Sequence, residues 1–565
     1  MGVSEQALRD AVSLDNLTRH NTEIAKGVRL SGSADEAEAF AYIAEQCRAY
    51  GMAVQQYAVD AYVSLPGAAS LAVALPTGRG IACITHSFSL ATGPEGLTAP
   101  LVPVNKGTAA DYAGVNARGA IVLVDGLAMP AVAHAANNAG AAGMICANPE
   151  GLHEMIISPV WGTPTPETAP HLPQVVAVSV RREDGDALKE MLARGPVRVR
   201  LQTEVETGWW PIPTLTAEIP GAQEDRFVLL SGHVDSWHYG AMDNASANAT
   251  MLEIGRIFGE RRGELRRGLR LAFWSGHSHA RYGASAWYAD HFWADLHERC
   301  VCHVNAESTG GMGASDLTGT GCMAETWQCA AGPIRDVAGQ ELRYRRMARN
   351  SDQSFTGVGV PSVLSGLAAQ PGGGLGWWWH TPDDTLDKID SANFVRDTQV
   401  YLLMCWRLCT APLLPFNYAE TVAELRDQLQ ALQQSAGAAF DLGAVRVELD
   451  ALGAAVERLN AAVASGADDP ARVERLNMAL MGVAHALIPV NYTLAGLYGV
   501  DLALENPPLP GLAPVADLAT MDPASDAAGF LRTRLVRERN RVWHALATAR
   551  REIARAVTMD GEREE

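Results

Sequence analysis

Three patterns of hydrophobic and polar residues follow one another along the chain. The first is helical, and its apolar positions share one face: Ala37, Phe40, Ile43, Ala44 and Cys47. Ser33, with Glu36 three residues later, has the spacing of a helix-capping pair. An amphipathic helix is therefore predicted over residues 33–49.

Short apolar or β-branched runs separated by Gly and Pro form the second pattern, which begins near residue 64. The runs are SLAVALP, GAIVLVDG, AAGMICANPEG, QVVAVSV and PVRVRLQ. The small-residue stretch 131–142 lies between the runs at 121–124 and 144–147 and has the length of one crossover helix. The pattern predicts a strand-rich domain with a βαβ-like unit, and the Gly/Pro-containing segment 208–221 is predicted to return the chain from it.

The third pattern alternates strands and helices and then becomes wholly helical. RFVLLSGHVDSW and LRLAFWSGHSHA read as strands that end in polar residues, with a helical stretch at 247–260 between them. This order is typical of an open α/β sheet, whose ligands bind at the carboxyl ends of strands. Beyond residue 415, apolar residues recur at helical spacing over 422–432, 445–463, 472–487 and 532–556.

Composition narrows the class of protein. A chain of 565 residues with 48% apolar and 19% charged residues is expected to form two or three globular domains. Its net charge of −19 argues against nucleic acid and anionic membranes as partners. The polar first residues and the absence of a long apolar run predict neither a secretory signal nor a membrane helix. Nine scattered cysteines predict reduced thiols, so a cytoplasmic location is expected.

Acids and imidazoles follow several of the apolar runs. His233 lies in SGHVDSW, Asp243 in GAMDNAS, Glu307 in HVNAEST and His380 in HTPDDTLDKID. Two imidazoles and two carboxylates suit zinc or a similar divalent ion. Asp235, two residues after His233, is placed to orient an imidazole or a catalytic group. Each residue taken singly is more often a solvated loop residue or a helix cap.

The ordered series of motifs resembles the co-catalytic zinc aminopeptidase and carboxypeptidase superfamily, in its glutamate carboxypeptidase and transferrin receptor-like branch. SGHVDSWHYGAMDNASANATMLEIGRIF is similar to the family's first metal motif and HTPDDTLDKID to its last. The resemblance implies a zinc-peptidase-like α/β domain with a mostly parallel central sheet over residues 1–63 and 212–412. It also implies an inserted β-rich protease-associated domain over 64–211 and a C-terminal helical dimerisation domain over 413–565, hence a homodimer.

The resemblance also implies a site. His233 and Glu307 would hold one ion, His380 would help to hold a second, and Asp243 would bridge the two. Glu307 stands where the family has Asp. The implied cofactor is zinc or another divalent metal ion, one or two per chain. The implied reaction is hydrolysis of an amide-type bond in a small-molecule or short-peptide substrate, by metal-activated water. The bond would belong to a peptide, an N-acyl amino acid, or a nonpeptide amide or carbamate.

The second motif departs from the family, which has two adjacent glutamates there, a general base and a metal ligand. This chain reads FWSGHSHARYG, so His277 stands at the base position, Ser278 at the ligand position and His279 beside them. Three hypotheses follow. His277 is the base beside a single ion, or His277 or His279 replaces the missing ligand, or the fold has become a noncatalytic, transferrin receptor-like binding or scaffold protein.

Substrate contacts are predicted next to these motifs. Trp378 and Trp379 immediately precede His380 and are expected to wall the approach to the ion with aromatic surface, unless they pack under a domain interface. Ser278, and Asp352 in the segment NSDQSF, are further candidates for the substrate pocket.

Overall fold

A computed structural model describes residues 3–76, 78–364, 366–466 and 469–561, with side chains described as far as residue 557. Its twelve strands are β1 (Ala53–Leu75), β2 (Gly80–Ile81), β3 (Ile84–Thr85), β4 (Leu97–Pro103), β5 (Ile121–Asp125), β6 (Gly143–Asn148), β7 (Val176–Arg181), β8 (Arg198–Ile219), β9 (Phe227–His233), β10 (Gly268–Trp274), β11 (Cys300–Asn305) and β12 (Ser362–Val363). Its helices are α1 (Glu5–Asp10), α2 (Leu14–Ile24), α3 (Ala34–Ala49), α4 (Pro130–Asn138), α5 (Arg182–Arg194), α6 (Ala247–Glu260), α7 (Gly283–His291), α8 (Trp293–Arg299), α9 (Trp327–Ala338), α10 (Ser391–Thr410), α11 (Tyr418–Ala436), α12 (Gly443–Ala464), α13 (Pro470–Tyr492), α14 (Val515–Thr520) and α15 (Asp526–Gly561).

Helix α3 confirms the predicted amphipathic pattern, with one difference in which residues are buried. Ser33 caps it by accepting from the Glu36 N–H at 3.2 Å, and Phe40, Ile43 and Cys47 are buried. Ala37, predicted on the buried face, is exposed, and Glu36 is buried instead. The reason is the cap itself, because Oε2 of Glu36 accepts from the Gly32 N–H at 2.6 Å and so holds this carboxylate inward.

A mostly parallel sheet forms the centre of the α/β domain, as predicted. Its order is β12-β11-β9-β10-β8, and β12, β11, β9 and β10 run parallel while β8 is antiparallel to β10. Strands β9 and β10 are wholly buried apolar runs, which is expected of parallel strands covered on both faces. The parallel arrangement brings the carboxyl ends of β9, β10 and β11 to one edge.

The inserted region continues the same sheet, because β4 pairs antiparallel with the outer part of β8. Strands β4, β5, β6 and β7 then run parallel in that order, with β3 antiparallel to β7. Helix α4 crosses between the parallel strands β5 and β6, which confirms the predicted βαβ-like unit. Small residues at 133 and 136 let this helix lie close to the sheet.

Two long antiparallel strands, β1 and β8, connect the inserted region to the α/β domain. They pair from Ala53 opposite Glu218 to Leu75 opposite Arg198. The predicted domain boundaries at 63/64 and 211/212 both fall inside this ribbon. The segment 208–221, predicted as a Gly/Pro-rich return, does return the chain, but it does so as extended strand as far as Ile219. Pro211 and Pro213 fit because proline is tolerated in a ladder that does not need its N–H.

Helices α11, α12, α13 and α15 form the C-terminal region and confirm the four predicted helical stretches. The apolar positions of α11 and α12 are buried together, including Leu425, Leu429, Leu449, Leu452 and Leu459. All nine cysteines carry free thiols. Among the helices of the described residues, none combines the length and the hydropathy that crossing a bilayer requires.

Candidate metal centre

Three neighbouring strands deliver the candidate side chains to one edge of the sheet. His233 is the last residue of β9, His277 follows β10 and Glu307 follows β11. One ligand atom from each of these three residues lies within 4.8 Å of the others. The imidazole rings of His233 and His277 are stacked, with their centroids 3.7 Å apart.

Asp243 lies at the centre of the site, in the irregular turn Ala241–Ser246 that precedes α6, and its own backbone is not helical. Its Oδ1 lies 3.1 Å from Nε2 of His233, and its Oδ2 lies 3.1 Å from Nε2 of His380. Asp384 holds this turn in place, because its carboxylate accepts from the backbone N–H groups of Met242 at 2.9 Å and Asp243 at 3.0 Å. Burial raises the pKa of Asp384 to about 7.

The tautomer of His233 is fixed by its surroundings. Nδ1 lies 2.8 Å from the carbonyl oxygen of Asp235, which only accepts, so Nδ1 carries the proton. The lone pair of Nε2 therefore points toward Oδ1 of Asp243 and Oε1 of Glu307, which is 3.0 Å away. Burial opposes protonation of this ring, but the carboxylates of Glu307 and Asp243 outweigh burial and raise the pKa of His233 well above its usual value.

The inserted domain sets the tautomer of His380. Its Nδ1 lies 2.7 Å from the carbonyl oxygen of Glu154, and the Glu154 N–H donates to the carbonyl of His380 at 3.0 Å. The adjacent His153 lies against the Trp379 carbonyl, with its Nδ1 2.5 Å from that oxygen. A second lone pair, on Nε2 of His380, is thereby aimed at Asp243.

His277 is oriented by Asp352. Its Nδ1 lies 2.8 Å from Oδ2 of Asp352, which is fully buried and also accepts from Oγ of Ser285 at 2.7 Å. Asp352 was predicted as a pocket residue, but both of its oxygens are occupied inside the protein. It orients an imidazole and does not line an open surface.

Asp235 holds the loop after β10. Its carboxylate accepts from the backbone N–H groups of His277 at 3.1 Å and Ser278 at 2.8 Å, and from Oγ of Ser31 at 2.9 Å. Burial alone would raise the pKa of Asp235, but contact with His279 and the nearby rings of His233 and His277 lowers it well below its usual value. An ionised Asp235 thus anchors the atypical second motif.

His279 and Ser278 lie deeper than the ligand cluster. The His279 ring is buried beside Trp237, with 4.6 Å between centroids, and its Nδ1 lies 3.0 Å from Oγ of Ser31. Among the side chains that the structure describes, the cluster of mutually close ligand atoms includes His277 but not His279. Ser278 is 1% exposed, so it offers no surface to a substrate in this conformation.

The two predicted aromatic residues occupy different environments. Trp378 is 4% exposed and packs inward, with its Nε1 3.4 Å from Sδ of Met242. Trp379 is partly exposed and stacks on His380, with ring centroids 3.6 Å apart. Trp379 is therefore placed beside the reaction centre, whereas Trp378 supports the turn that carries Asp243.

The donor set fits a divalent ion. Nε2 of His233 lies 3.1 Å from Oδ1 of Asp243 and 3.0 Å from Oε1 of Glu307, and Nε2 of His380 lies 3.1 Å from Oδ2 of Asp243. Oδ1 of Asp243 is buried there without a hydrogen-bond partner. Such a concentration of acceptors is unfavourable unless a proton or a cation lies among them. Imidazole nitrogen and carboxylate oxygen are the ligands typical of zinc.

Several residues that support the site were not found by sequence reasoning. Asp384 lies inside the HTPDDTLDKID motif, four residues after His380, and this position beside a predicted ligand could have identified it from the sequence. Oγ of Ser351 donates to Oε2 of Glu307 in a short contact. Ser285 and Glu154 carry no sequence signal, because a serine inside a helix and a backbone carbonyl in another domain have no recognisable pattern.

Family models match both the α/β domain and the insert. Residues 214–404 match the Peptidase family M28 and residues 97–188 match the PA domain. A probable glutamate carboxypeptidase, VP8 of Zea mays, is 26% identical over 504 residues, which cover 72% of this chain and 68% of the relative. Aminopeptidase NAALADL1 of Rattus norvegicus is 25% identical over 320 residues, 48% of this chain and 42% of the relative, so the match spans less than half of that protein.

Solved structures share the fold. An aminopeptidase from Aneurinibacillus sp. strain AM-1 superposes with a TM-score of 0.55 at 22% identity, covering 72% of this chain and 96% of its own. A Peptidase M28 precursor from Shewanella amazonensis gives 0.57 at 20% identity, covering 73% and 98%.

Proposed function

We propose that the chain is a metal-dependent hydrolase of peptide-type amide bonds that works with one tightly held divalent ion, and its match to the Peptidase family M28 over residues 214–404 supports this. The observation that carries the proposal is the convergence of Nε2 of His233 with Oδ1 of Asp243 and Oε1 of Glu307, at 3.1 and 3.0 Å. The noncatalytic hypothesis is not favoured, because a site without function has no need to fix the His233 tautomer toward two carboxylates.

The count of one ion rests on the asymmetry of the site. His233, Asp243 and Glu307 would hold the ion, which is the usual number of protein ligands in a catalytic zinc site. On the other side of Asp243, His380 is the remaining ligand-type side chain, and Ser278 stands at the position where the family has a carboxylate. The chemistry that the ion supplies is Lewis acidity, which polarises an amide carbonyl and lowers the pKa of water.

His277 is proposed as the proton acceptor. Asp352 occupies its Nδ1, so Nε2 has a free lone pair for the proton of an attacking water. His277 can then deliver this proton to the leaving amine. Trp379, stacked on His380, would shield one side of the reaction centre and favour apolar substrate groups.

A second role for His277 is supported by its position in the cluster of ligand atoms. As a ligand, it would be a fourth donor to the same ion. Its contact with Asp352 is compatible with this role, because carboxylates commonly orient metal-binding imidazoles.

Metal analysis and turnover together test the proposal. Protein purified without chelator is expected to contain about one ion of zinc or another divalent metal per chain and to hydrolyse short peptides. A metal content near zero would contradict the proposed function. His277→Ala is expected to abolish turnover and leave metal content unchanged if His277 is the base. Loss of metal in the same variant would instead identify a ligand. His291→Ala, at an exposed position on α7, is the control and should change neither quantity.

A homodimer and a cytoplasmic location remain predictions. Large apolar side chains on three C-terminal helices favour a dimer, since Phe530 is 74%, Val447 71% and Met478 52% exposed. Sedimentation velocity should give twice the chain mass, and Phe530→Glu should lower it if α15 lies in the interface. Fluorescent tagging in the source cell tests the location.

A further inference from the structure

Three parts of the chain meet directly behind His277. Trp161, from the inserted region, is 4% exposed and packs on Tyr282 of the α/β domain, with 4.2 Å between ring centroids. The guanidinium of Arg349 lies 4.4 Å from the Trp161 ring and also donates to the carbonyls of Leu502 at 3.0 Å and Asp501 at 3.0 Å, in the C-terminal region. Trp161 is therefore held firmly at the junction of all three regions.

The indole of Trp161 begins a chain of buried hydrogen bonds. Its Nε1–H donates to Oγ of Ser354 at 2.9 Å. Oγ of Ser354 lies 2.9 Å from Oγ of Ser285, and Ser285 donates to Oδ1 of Asp352 at 2.7 Å. The other oxygen of Asp352 faces Nδ1 of His277 at 2.8 Å. The chain thus runs from the inserted region to the proposed proton acceptor.

The shorter contacts favour one direction along this chain, since Oγ of Ser285 lies 2.7 Å from Oδ1 of Asp352 and 3.2 Å from the carbonyl oxygen of Tyr282. An indole N–H only donates, and an ionised carboxylate only accepts. Because Ser354 accepts from Trp161, its own proton is available for Ser285, and the proton of Ser285 goes to Asp352. Asp352 is then left as an acceptor toward His277, which places the imidazole proton on Nδ1 and the lone pair on Nε2. Aligned bonds of this kind polarise and strengthen one another in a buried environment.

We propose that Trp161 is a positioning residue for His277, acting through Ser354, Ser285 and Asp352, so that the inserted domain helps to set the proton acceptor of the α/β domain. This inference rests on the proposed function. Without the indole N–H, the Ser354 hydroxyl is free to rotate, and the fixed acceptor pattern at Asp352 is weakened. His277 then spends less time in the orientation that accepts a proton, whereas substrate binding and the ion are untouched.

The decisive comparison uses Trp161→Phe, Ser354→Ala and the double variant. Phenylalanine keeps an aromatic ring against Tyr282 and removes the N–H, together with part of the indole volume, and Ser354→Ala removes the acceptor of the same bond without altering that ring. Each single variant is expected to lower kcat by roughly 3- to 10-fold with KM and metal content unchanged, which is the effect of weakening a supporting hydrogen bond. The kcat of the double variant is expected to equal that of the less active single variant, because both changes break the same chain of hydrogen bonds.

Trp293→Phe is the matched control. The Trp293 indole also donates, to the carbonyl of Leu497 at 3.0 Å, but it takes no part in the chain to Asp352. Its kcat should equal that of the unaltered protein.

Two kinetic results would overturn the inference while the proposed function stands. One is a double variant whose loss equals the product of the single losses, and the other is a rise in KM at constant kcat. A Trp161→Phe protein that loses metal would also overturn it, since the role would then be structural. If the unaltered protein neither binds metal nor hydrolyses peptides, the proposed function fails first. Should Trp161→Phe fold poorly, Ser354→Ala with Ser354→Thr as the rescue variant gives the same decision, because threonine retains the hydroxyl.

Discussion

The two carboxylate oxygens of Asp243 face different numbers of possible metal ligands. On one side, Oδ1 faces Nε2 of His233, with Oε1 of Glu307 3.0 Å from the same nitrogen. On the other side, Oδ2 faces Nε2 of His380 at 3.1 Å. Both imidazoles are oriented by backbone carbonyls, so the difference lies in the second carboxylate, Glu307, which only the His233 side has. The two imidazoles are thus equally well positioned, although the charge around them is unequal.

The largest expected effect separates the two sides directly. Glu307→Gln removes a charge from the His233 side and should release the ion and lower kcat/KM by roughly 1000-fold or more, since ion and Lewis acidity are lost together. His380→Gln alters the other side and should keep about one ion per chain while lowering kcat/KM by roughly 10- to 100-fold. Elemental analysis of both variants beside peptide hydrolysis measures the contrast. Equal loss of metal in the two variants would contradict the asymmetry.

Restoring the missing carboxylate is the second way to test the comparison. Ser278→Glu restores a carboxylate at the sequence position where the resemblance places a metal ligand. We expect the metal content to rise from about one ion per chain toward two at saturating zinc, because three donors would then surround the second position. Ser278→Gln, with the same size and no charge, is the control and should remain at one ion. A Glu variant that also stays at one ion would mean that the second position is closed by more than the loss of charge.

The smallest effect concerns the group that holds Asp243 between the two sides. Asp384→Asn replaces one of the two carboxylate oxygens that accept from the Met242 and Asp243 N–H groups with an NH₂ donor. Metal affinity should fall by about 10-fold, the size typical of an altered supporting contact, with both sides weakened together. Zinc titration against a competing chelator measures this change. The neighbouring Asp383→Asn, which changes an exposed carboxylate, should bind zinc as the unaltered protein does.

The sequence predicted the strands, the helices and the ligand-type side chains better than it predicted the residues that orient those side chains. The apolar runs in RFVLLSGHVDSW and LRLAFWSGHSHA predicted strands of an α/β sheet, and the polar residues at their ends predicted the edge of the sheet where His233, His277 and Glu307 meet. The helix over 247–260 was predicted with the bounds that the structure has. These features depend on local periodicity, which a single sequence contains.

Contacts between distant segments were beyond sequence reasoning. The carbonyl of Glu154 orients His380 across 226 residues of chain, and a carbonyl is common to every residue type. Segment 208–221 was predicted as a turn-rich return because of its Gly and Pro residues, whereas pairing with β1 keeps it extended. Asp352 was predicted to face the substrate, since nothing in NSDQSF indicates that its carboxylate turns inward to an imidazole. In each case a tertiary contact decided the outcome.

The ribbon of β1 and β8 determines where the inserted region can be cut out of the chain. Val63 and Gly208 stand directly opposite each other in the ladder, so a tight hairpin joining them would excise everything between and leave the inner half of the ribbon paired. Such a miniaturised hydrolase is topologically permitted, yet it would lack the carbonyl that fixes His380 and the indole behind Asp352. Removal of the insert is therefore expected to leave the ribbon paired and to release His380 from the Glu154 carbonyl.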